Sequence, residues 1–464
     1  MKIAVFGSGA YYQKYKHYLC KCDIQYIIDN DKEKQGKEID GITVYAPDEV
    51  DYNQCVYIII LIRESVEVRA QLLKLGIAEN KIISYFDIGE KILCVPLTIK
   101  SQKSNITIEK WFEKSKTPHI MLVSHELSRT GVPVALMNLA ILLKKMKYSV
   151  LLVAIKGGNL HNELEDNDIA YISEFELYFK NASFWKNAGK MDLFILGTVG
   201  LHYIIPEFAG LGKPVIWWMH ESDPRGYETY KRPVNYFKNI FYYTGGKRVD
   251  NALRKYWGIT TTKELLYYLP EKECKDKRRN KEVIFAIIGS FVKRKAQDIL
   301  VSALERIPAV YDDKYKVMFV GNVSSNMETY YNDLKIIEEK HSNIEFIGEM
   351  SQTELEDLYG LIDVLICPSR DDPMPIVVTQ AMQHGITCIV SDQVGQKEFI
   401  QSGKNGYVFE NENSEELACI IKNVIDNPIE WKKMGEKSRI IYEEKFSEQR
   451  MRLQLMEIFN QVLL

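Results

Sequence analysis

The sequence predicts an α/β protein built on parallel sheets, because a short apolar strand, a glycine-containing turn and a helix follow one another at three places. The three strands are residues 2–6, 119–123 and 283–288, and their turns contain Gly7, Gly131 and Gly289. Continuous apolar runs such as VYIII at 56–60 are typical of strands that are covered on both faces. We therefore expect three doubly wound units.

Length and local composition predict where these units end. A chain of 464 residues is too long for one hydrophobic core. Polar or charged stretches at 99–117 and 271–281 lack apolar periodicity and are typical of linkers. The predicted domains are residues 1–98, 118–272 and 282–440, followed by a closing helix at 441–464.

Charge and cysteine content exclude several classes of protein. The 60 Lys and Arg residues against 63 Asp and Glu residues give a net charge of -3, which argues against a nucleic-acid binder. The eight cysteines form no C-x-x-C pair, which argues against a zinc ribbon or a dithiol redox site. The apolar start of the chain is too short for a signal peptide, and no run reaches the length of a membrane span. A cytoplasmic location is the expectation.

The first unit carries part of a dinucleotide-binding fingerprint. Gly7 and Gly9 follow a strand, and Asp29 comes 20 residues after Gly9 at the end of another strand. Tyr12 stands at the third glycine position, where a bulky residue opposes close packing of helix on strand. One alternative is therefore an NAD-dependent oxidoreductase, and the other is a Rossmann-like module whose glycines serve only the turn.

The same unit resembles an accessory domain that is attached to bacterial sugar-modifying enzymes. The resemblance rests on VFGSG at 5–9, IDNDK at 28–32, GKEIDG at 36–41 and LKLG at 73–76. Such domains bind nucleotide-sugars in some proteins and have no known role in others, so the resemblance assigns no chemistry to this unit.

The rest of the chain, residues 118–464, resembles glycosyltransferase family four, a retaining family with the GT-B architecture. The motifs that carry the resemblance are SHELSRTGVP at 124–133, WWMHE at 217–221, GSFVKRKAQD at 289–298 and PSRDDPMPIVVTQAM at 368–382. The resemblance implies two Rossmann-like domains that face each other across a cleft, preceded here by the third, smaller domain. It also implies a nucleotide-sugar donor at 282–440 and an acceptor at 118–272.

A basic loop is the candidate phosphate site. Lys295 and Arg294 follow a strand and a glycine turn, where a diphosphate would lie. Without a metal, cations and helix N-termini must stabilise the charge on the leaving phosphate. The family has a basic residue at the position of Ser290, so we expect Arg294 to substitute for it. The alternative is that residues 293–295 form a solvated charge cluster.

The motif at 368–382 is the candidate donor site. Asp372 precedes a turn, and a helix is predicted to begin near Pro375 with unbonded N–H groups at 376–378 that can receive phosphate. The resemblance assigns Asp372 to the donor sugar and Gln380 to the ribose, at positions where the family has glutamates. Asp372 can alternatively cap the turn, and Gln380 brings no charge. The other donor-binding residues expected in this segment are Met374, Pro375, Ile376 and Val377.

Four further residues complete the predicted site. His220 ends the strand 215–219, and the matching histidine of the family lies in the cleft, although a histidine at a strand end is often only a core residue. Gly131 lets the backbone approach the ligand closely, and the resemblance places the turn with Gly348 and Met350 beside the nucleobase. The predicted catalytic residues are His220, Asp372 and Lys295.

The expected partners are the nucleotide-sugar and a glycan, lipid-linked or protein acceptor, in bacterial surface polysaccharide or glycoconjugate synthesis. No metal is expected, because the Asp-x-Asp patterns at 29–31 and 166–168 do not fall at a strand end in the cleft. The rival hypothesis is a degenerate partner protein that stabilises an active transferase, which Ser290 and Gln380 support.

Residues 225–257 are rich in both basic and aromatic side chains. Such a segment can rest on an anionic membrane surface at the inner face of the membrane, and equally suits a covered helix with a solvated face. The basic residues are Arg225, Lys231, Arg232, Lys238, Lys247, Arg248, Arg254 and Lys255, and the aromatic residues include Tyr227, Tyr230, Tyr236, Phe237, Phe241, Tyr242 and Tyr243.

Overall fold

The computed structural model describes residues 1–62, 65–94, 97–101, 105–116, 118–230, 237–272 and 282–463. The strands of these residues are β1 Lys2–Phe6, β2 Asp23–Ile28, β3 Glu38–Ile39, β4 Ile42–Tyr45, β5 Tyr57–Ile60, β6 Ile82–Ser84, β7 Thr98–Ile99, β8 Ile106–Thr107, β9 His119–Ser124, β10 Ser149–Ala154, β11 Ala170–Ile172, β12 Leu193–Gly197, β13 Val215–Met219, β14 Ile240–Thr244, β15 Thr262–Glu264, β16 Val283–Ile288, β17 Tyr315–Val320, β18 Ile344–Gly348, β19 Val364–Cys367, β20 Thr387–Ser391 and β21 Tyr407–Phe409. The α-helices are α1 Ala10–Tyr15, α2 Val66–Lys74, α3 Ile108–Lys114, α4 Gly131–Lys145, α5 His161–Asp166, α6 Ala182–Ala188, α7 Ile205–Gly210, α8 Pro224–Thr229, α9 Lys247–Ala252, α10 Gln297–Leu304, α11 Glu328–Lys335, α12 Ile337–Lys340, α13 Gln352–Leu361, α14 Ile376–Gln383, α15 Ser414–Asp426, α16 Pro428–Lys445 and α17 Glu448–Val462.

The chain divides into two compact units, Met1–His119 with Leu151–Met191, and Ile120–Val150 with Asp192–Leu464. The predicted boundary between the domain 282–440 and the closing helix 441–464 falls inside α16, so this helix continues across it. The final helix is α17, and the Ser447 hydroxyl caps it by accepting the N–H of Arg450 at 3.3 Å.

The first unit contains a sheet with the strand order β3-β4-β2-β1-β5-β6, in which all neighbours are parallel except β3 and β4. Alternate side chains of β1 enter different clusters: Ile3 and Val5 pack on one face, and Ala4 and Phe6 on the other. The sheet is therefore covered on both faces, as the continuous apolar strands predicted.

The second unit contains two parallel sheets. In the first sheet the strands of this unit have the order β9-β12-β13-β14-β15, and the second sheet has the order β18-β17-β16-β19-β20-β21. The apolar strand β13 crosses the middle of the first sheet, and its Trp217 and Trp218 are fully buried. The indole N–H of Trp217 donates to the backbone carbonyl of Thr198 at 2.9 Å, and that of Trp218 donates to the backbone carbonyl of Leu265 at 2.7 Å.

The direction of the strand order reverses between β16 and β19. These two strands pair only at Phe285 with Val364 and at Ala286 with Leu365, and beyond that point they diverge. In open parallel sheets such a reversal opens a crevice at the carboxyl ends of the strands, where ligands bind. The two loops that the sequence singled out, at 289–296 and 368–375, begin at these carboxyl ends.

Candidate functional site

The loops after β16 and β19 are joined by hydrogen bonds that run in both directions. The Arg370 N–H donates to the carbonyl of Arg294 at 2.8 Å, and the Arg294 guanidinium donates to the carbonyl of Asp371 at 2.7 Å. Arg294 lies in the basic loop and Asp371 in the donor motif, and the two residues are 77 positions apart in the sequence. The fold therefore makes them one site.

Asp372 is the centre of that site. Its Oδ2 atom lies 2.5 Å from Nζ of Lys295 and 3.2 Å from Nη1 of Arg294. Asp372 is buried and Lys295 is half-buried, whereas Arg294 is exposed. Lys295 and Arg294 are thus ion-paired with Asp372, whereas Lys293 is exposed, so a solvated cluster describes only part of this loop.

The backbone around Asp372 is fixed from the next strand of the sheet. Its N–H donates to the carbonyl of Gln393 at 3.2 Å, and its carbonyl accepts the N–H of Gly395 at 3.0 Å. A Cβ on Gly395 would come within 1.6 Å of the Pro373 carbonyl oxygen, so only glycine fits at this close approach. The loop that follows β20 therefore holds the turn that presents Asp372.

Helix α14 starts directly behind this turn. Pro375 is its N-cap, with φ -61° and ψ 127°, so the proline precedes the first helical residue instead of occupying the first turn. The N–H of Val378 donates to the Pro375 carbonyl at 3.2 Å, which corrects the expectation that all three N–H groups at 376–378 are unbonded. Ile376 and Val377 remain the helix-start positions that can face an anion.

His220 comes from the other sheet of the same unit, directly after β13. Its ring lies 4.4 Å from the Trp218 ring, and a Cβ on Gly245 would come within 2.9 Å of its Nδ1 atom. The Nε2 atom is buried and makes no hydrogen bond. Burial lowers the pKa of His220 to about 4, although the negative charge of Glu221 opposes the shift. The imidazole is neutral at neutral pH.

Glu221, the next residue, ties the ends of two strands together. Its carboxylate accepts the N–H groups of Val199 at 3.0 Å and of His220 at 3.2 Å, as well as the hydroxyl of Thr198. Thr198 has a φ of 84°, an unfavourable conformation for a threonine. Because its oxygens already accept three donors, Glu221 is suited to fixing the loop geometry.

A cavity of about 350 Å³ lies between the two sheets of the second unit. Across it, the Asp371 carboxylate accepts from the Ser222 hydroxyl at 2.8 Å and pairs with Arg248 at 2.6 Å. The residues that line the cavity are His125, Thr130, Gly131, Val132, His220, Glu221, Ser222, Asp223, Gly245, Tyr267, Arg294, Asp371, Asp372, Pro373, Met374 and Ile376. Neutral, acidic and basic groups therefore converge on one space of ligand size.

The structure brings together most of the residues that the sequence predicted. The predicted residues in the cavity lining are Gly131, His220, Arg294, Asp372, Met374 and Ile376. Lys295 joins them through its ion pair with Asp372, and Val377 follows in the first turn of α14. Lys295 and Val377 are not part of the lining itself, and the other predicted residues outside it are Ser290, Gly348, Met350, Pro375 and Gln380.

These outer residues occupy identifiable places around the cavity. Ser290 is exposed on the basic loop, and Gly348 ends β18 with a φ of 85° while its carbonyl accepts the Gly321 N–H at 2.8 Å. Met350 lies half-buried just before α13. Gln380 lies on α14, where its Oε1 atom accepts the hydroxyl of Tyr359 at 3.1 Å.

Sequence reasoning gave no role to several residues of this site. Glu221 and Asp371 stood inside recognised motifs, but their partners Val199 and Arg248 lie 22 and 123 residues away. No local pattern connects residues so far apart. Arg248 appeared only as one basic residue of the 225–257 segment.

That segment is only partly open to solvent. Lys247 pairs with Glu398 at 3.2 Å and Arg254 with Asp250 at 2.8 Å, while Tyr227 is buried. Lys231, Arg232 and Tyr236 lie outside the described residues. None of the helices in the described part of the chain combines the length and the apolar character that crossing a bilayer requires.

In the first unit, the carboxylate of Asp29 is already engaged. It accepts the hydroxyl of Ser8 at 2.5 Å and the Ser8 N–H at 3.0 Å, and it pairs with Lys34 at 3.2 Å. Tyr12 is buried, and its hydroxyl donates to Asp40 at 3.0 Å. These contacts favour the interpretation of the first unit as a Rossmann-like module whose glycines serve only the turn. In the chain as far as it is described, His, Cys, Asp and Glu side chains do not gather in groups of three that could hold a metal ion.

Comparison with known families identifies the class of protein. Residues 270–440 match the family described as glycosyl transferases group 1, and residues 81–288 match glycosyl-transferase family 4. Residues 1–83 match the family described as C2185-like, N-terminal. Together the two glycosyltransferase models span residues 81–440 and support a glycosyltransferase of the family 4 type, and the chain has the two Rossmann-like domains of the GT-B fold.

Several curated proteins resemble parts of the chain. Spore coat protein SA of Bacillus subtilis is 28% identical over 185 residues, which is 38% of this chain and 48% of that protein. The lipopolysaccharide core biosynthesis glycosyltransferase LpsE of Rhizobium meliloti is 24% identical over 143 residues, 31% of this chain and 39% of that protein. This chain therefore aligns with half or less of the length of each of these two relatives.

Solved structures share the fold. Anabaena HepE in complex with UDP-glucose superposes with a TM-score of 0.63 at 16% identity, over 74% of this chain and 99% of that one. WaaG, a glycosyltransferase involved in lipopolysaccharide biosynthesis, superposes with a TM-score of 0.55 at 11% identity, over 72% of this chain and 98% of that one. At these identities the likeness concerns the fold alone.

Proposed function

We propose that this protein transfers a sugar from a nucleotide-sugar to a glycan, lipid-linked or protein acceptor, with retention of configuration and without a metal. The observation that carries the proposal is the ion-paired set of Lys295, Arg294 and Asp372 at the sheet's switch point, with His220 in the same cavity. Two cations and a helix start at one point suit a diphosphate leaving group. A carboxylate beside them suits the sugar hydroxyls.

The roles follow from the chemistry of each group. Lys295 and Arg294 stabilise the charge that grows on the departing phosphate, and Asp372 orients the donor sugar. In a retaining transfer without an enzyme nucleophile, the acceptor hydroxyl attacks from the face that the phosphate leaves, and the phosphate takes the proton. His220, which is neutral, donates or accepts a hydrogen bond at Nε2 and is not a permanent counter-ion.

Bacterial surface polysaccharide or glycoconjugate synthesis is the setting we propose, because relatives such as LpsE act in lipopolysaccharide core biosynthesis. UDP-sugars are the first donors to test, since HepE was crystallised with UDP-glucose. Peripheral contact with an anionic membrane through residues 225–257 remains part of the proposal.

A thermal-shift screen with UDP-, GDP-, ADP- and CMP-sugars tests the proposal, because a ligand that binds the native state raises its stability. The donor that binds is then assayed for hydrolysis and transfer with and without EDTA. We expect stabilisation by one class of nucleotide-sugar and activity that survives chelation. A strict need for Mg²⁺ or Mn²⁺ contradicts the metal-independent mechanism.

A second candidate function is that of a non-catalytic partner of an active transferase. Gln380 favours it, because this residue lacks a charge and its carbonyl oxygen is taken by Tyr359. Binding of no nucleotide-sugar, together with stable association with another glycosyltransferase, is the result that supports this candidate.

A further inference from the structure

One buried carboxylate holds both of the cations that would bind the donor's diphosphate. Asp372 is only 7% exposed, and a single oxygen, Oδ2, contacts Lys295 at 2.5 Å and Arg294 at 3.2 Å. Its backbone is fixed by hydrogen bonds to Gln393 and Gly395. These two hydrogen bonds keep the backbone of Asp372 at the site.

An entering phosphate and Asp372 therefore compete for the same positive charge. A phosphate oxygen that reaches Lys295 must take the place of Oδ2 or share the ammonium with it, at the cost of repulsion between two anions. A buried carboxylate that loses its cations is left uncompensated unless other donors replace them. The hydroxyls of a sugar attached to the diphosphate are such donors, because carboxylates accept hydrogen bonds from hydroxyls.

We propose that Asp372 makes the site prefer the intact nucleotide-sugar to the nucleoside diphosphate that remains after transfer. The sugar of the donor compensates the displaced carboxylate, whereas the product lacks that sugar and displaces Asp372 without compensation. The product also carries an additional ionisable phosphate oxygen, so the cations alone would favour it. Return of Asp372 to Lys295 then promotes product release. This inference rests on the proposed function of the site.

Calorimetric titration of UDP and UDP-glucose into the full-length protein and its Asp372→Asn variant tests the inference. Asparagine has the same shape but no charge, so UDP no longer displaces a competing anion. We expect UDP to bind the variant about tenfold more tightly, and the preference for UDP-glucose over UDP to fall by a similar factor. Unchanged or weaker UDP binding by the variant overturns the inference.

Two further variants separate this effect from a general change of charge. Glu305→Gln removes the same charge from an exposed carboxylate that pairs with Lys340 and does not line the cavity, and it is expected to leave the preference unchanged. Asp372→Glu keeps the charge and is expected to keep the preference, which tests the inference even if Asp372→Asn folds poorly. An equal loss of preference in Glu305→Gln overturns the specific role of Asp372.

Failure of the proposed function gives a different result. If neither the wild type nor Asp372→Asn binds any nucleotide or nucleotide-sugar of the donor screen, both the proposed function and this inference are overturned. If the wild type binds UDP-glucose but its preference survives in Asp372→Asn, only the inference fails.

Discussion

The carboxylate of Glu221 accepts the N–H of Val199 at 3.0 Å, which ties the carboxyl end of β13 to that of β12. The same carboxylate holds the N–H of His220 and the hydroxyl of Thr198. The loop that presents His220 to the cavity is thus fixed by one side chain.

We expect Glu221→Gln to be tolerated and Glu221→Leu to be damaging. The glutamine carbonyl still accepts both N–H groups, and its amide can donate to the Thr198 hydroxyl, whereas leucine leaves both N–H groups without that partner. Each buried group left unsatisfied costs about 1–3 kcal/mol. Thermal unfolding and donor binding of both variants check this expectation, and equal losses in the two would show that the charge of Glu221 matters instead of its geometry.

Lys295→Ala is expected to weaken donor binding and to lower the rate of transfer by about 10²–10³, as the loss of one contact to developing charge does. Lys293→Ala is the matched control, because Lys293 is exposed on the same loop, whereas Lys295 is half-buried and pairs with Asp372. Steady-state kinetics with saturating and limiting donor measure both effects. Equal kinetics for Lys295→Ala and the wild type would remove Lys295 from the phosphate site.

His220 is expected to make the protein less stable in mild acid. Burial lowers its folded-state pKa from 6.5 to about 4, so the unfolded chain binds the proton first as the pH falls. The stability present above the ordinary histidine pKa is lost as the pH falls from 6.5 towards 4. His220→Gln removes this titration, and its unfolding midpoint should fall less over the same range. Parallel pH profiles for the two proteins would contradict the buried neutral imidazole.

Gln380→Glu is expected to tighten donor binding roughly threefold to tenfold, because a carboxylate forms a stronger, charge-assisted hydrogen bond with a ribose hydroxyl. Glutamate also retains an acceptor for the Tyr359 hydroxyl, so the fold should tolerate the change. Calorimetry on the wild type, Gln380→Glu and Gln380→Ala measures the effect. Absence of donor binding by all three favours the non-catalytic partner.

The sequence predicted the strands of the fold closely, because their signal is local. The strands Lys2–Phe6, Val215–Met219 and Val283–Ile288 begin and end where their apolar runs do. Helix starts are marked less sharply than strands. The helix that was predicted to begin near Pro375 begins at Ile376, with Pro375 as its N-cap, because proline suits the position before a helix as well as its first turn.

In the candidate site, too, local sequence patterns predicted the residues but not the contacts between distant segments. The motifs at 289–298 and 368–382 pointed to the cations and to Asp372, because a strand followed by a glycine turn and a basic residue is a local pattern. The pairing of Lys295 with Asp372 spans 77 residues and depends on β16 and β19 being neighbours in the sheet. No property of either motif by itself predicts that distance.

The sequence by itself determined the class of this protein, its parallel sheets and the residues of its phosphate and donor motifs, because hydrophobic periodicity, turn chemistry and motif order are written along the chain. Only the tertiary structure decided that Asp372 forms ion pairs with both Lys295 and Arg294. It also decided that Asp371 pairs with Arg248 and that Glu221 fixes the loop of His220. These are contacts between the ends of different strands. They form only when the strand order of each sheet brings distant segments to a common edge. The charge and burial of the side chains at that edge then determine which residues form ion pairs and hydrogen bonds.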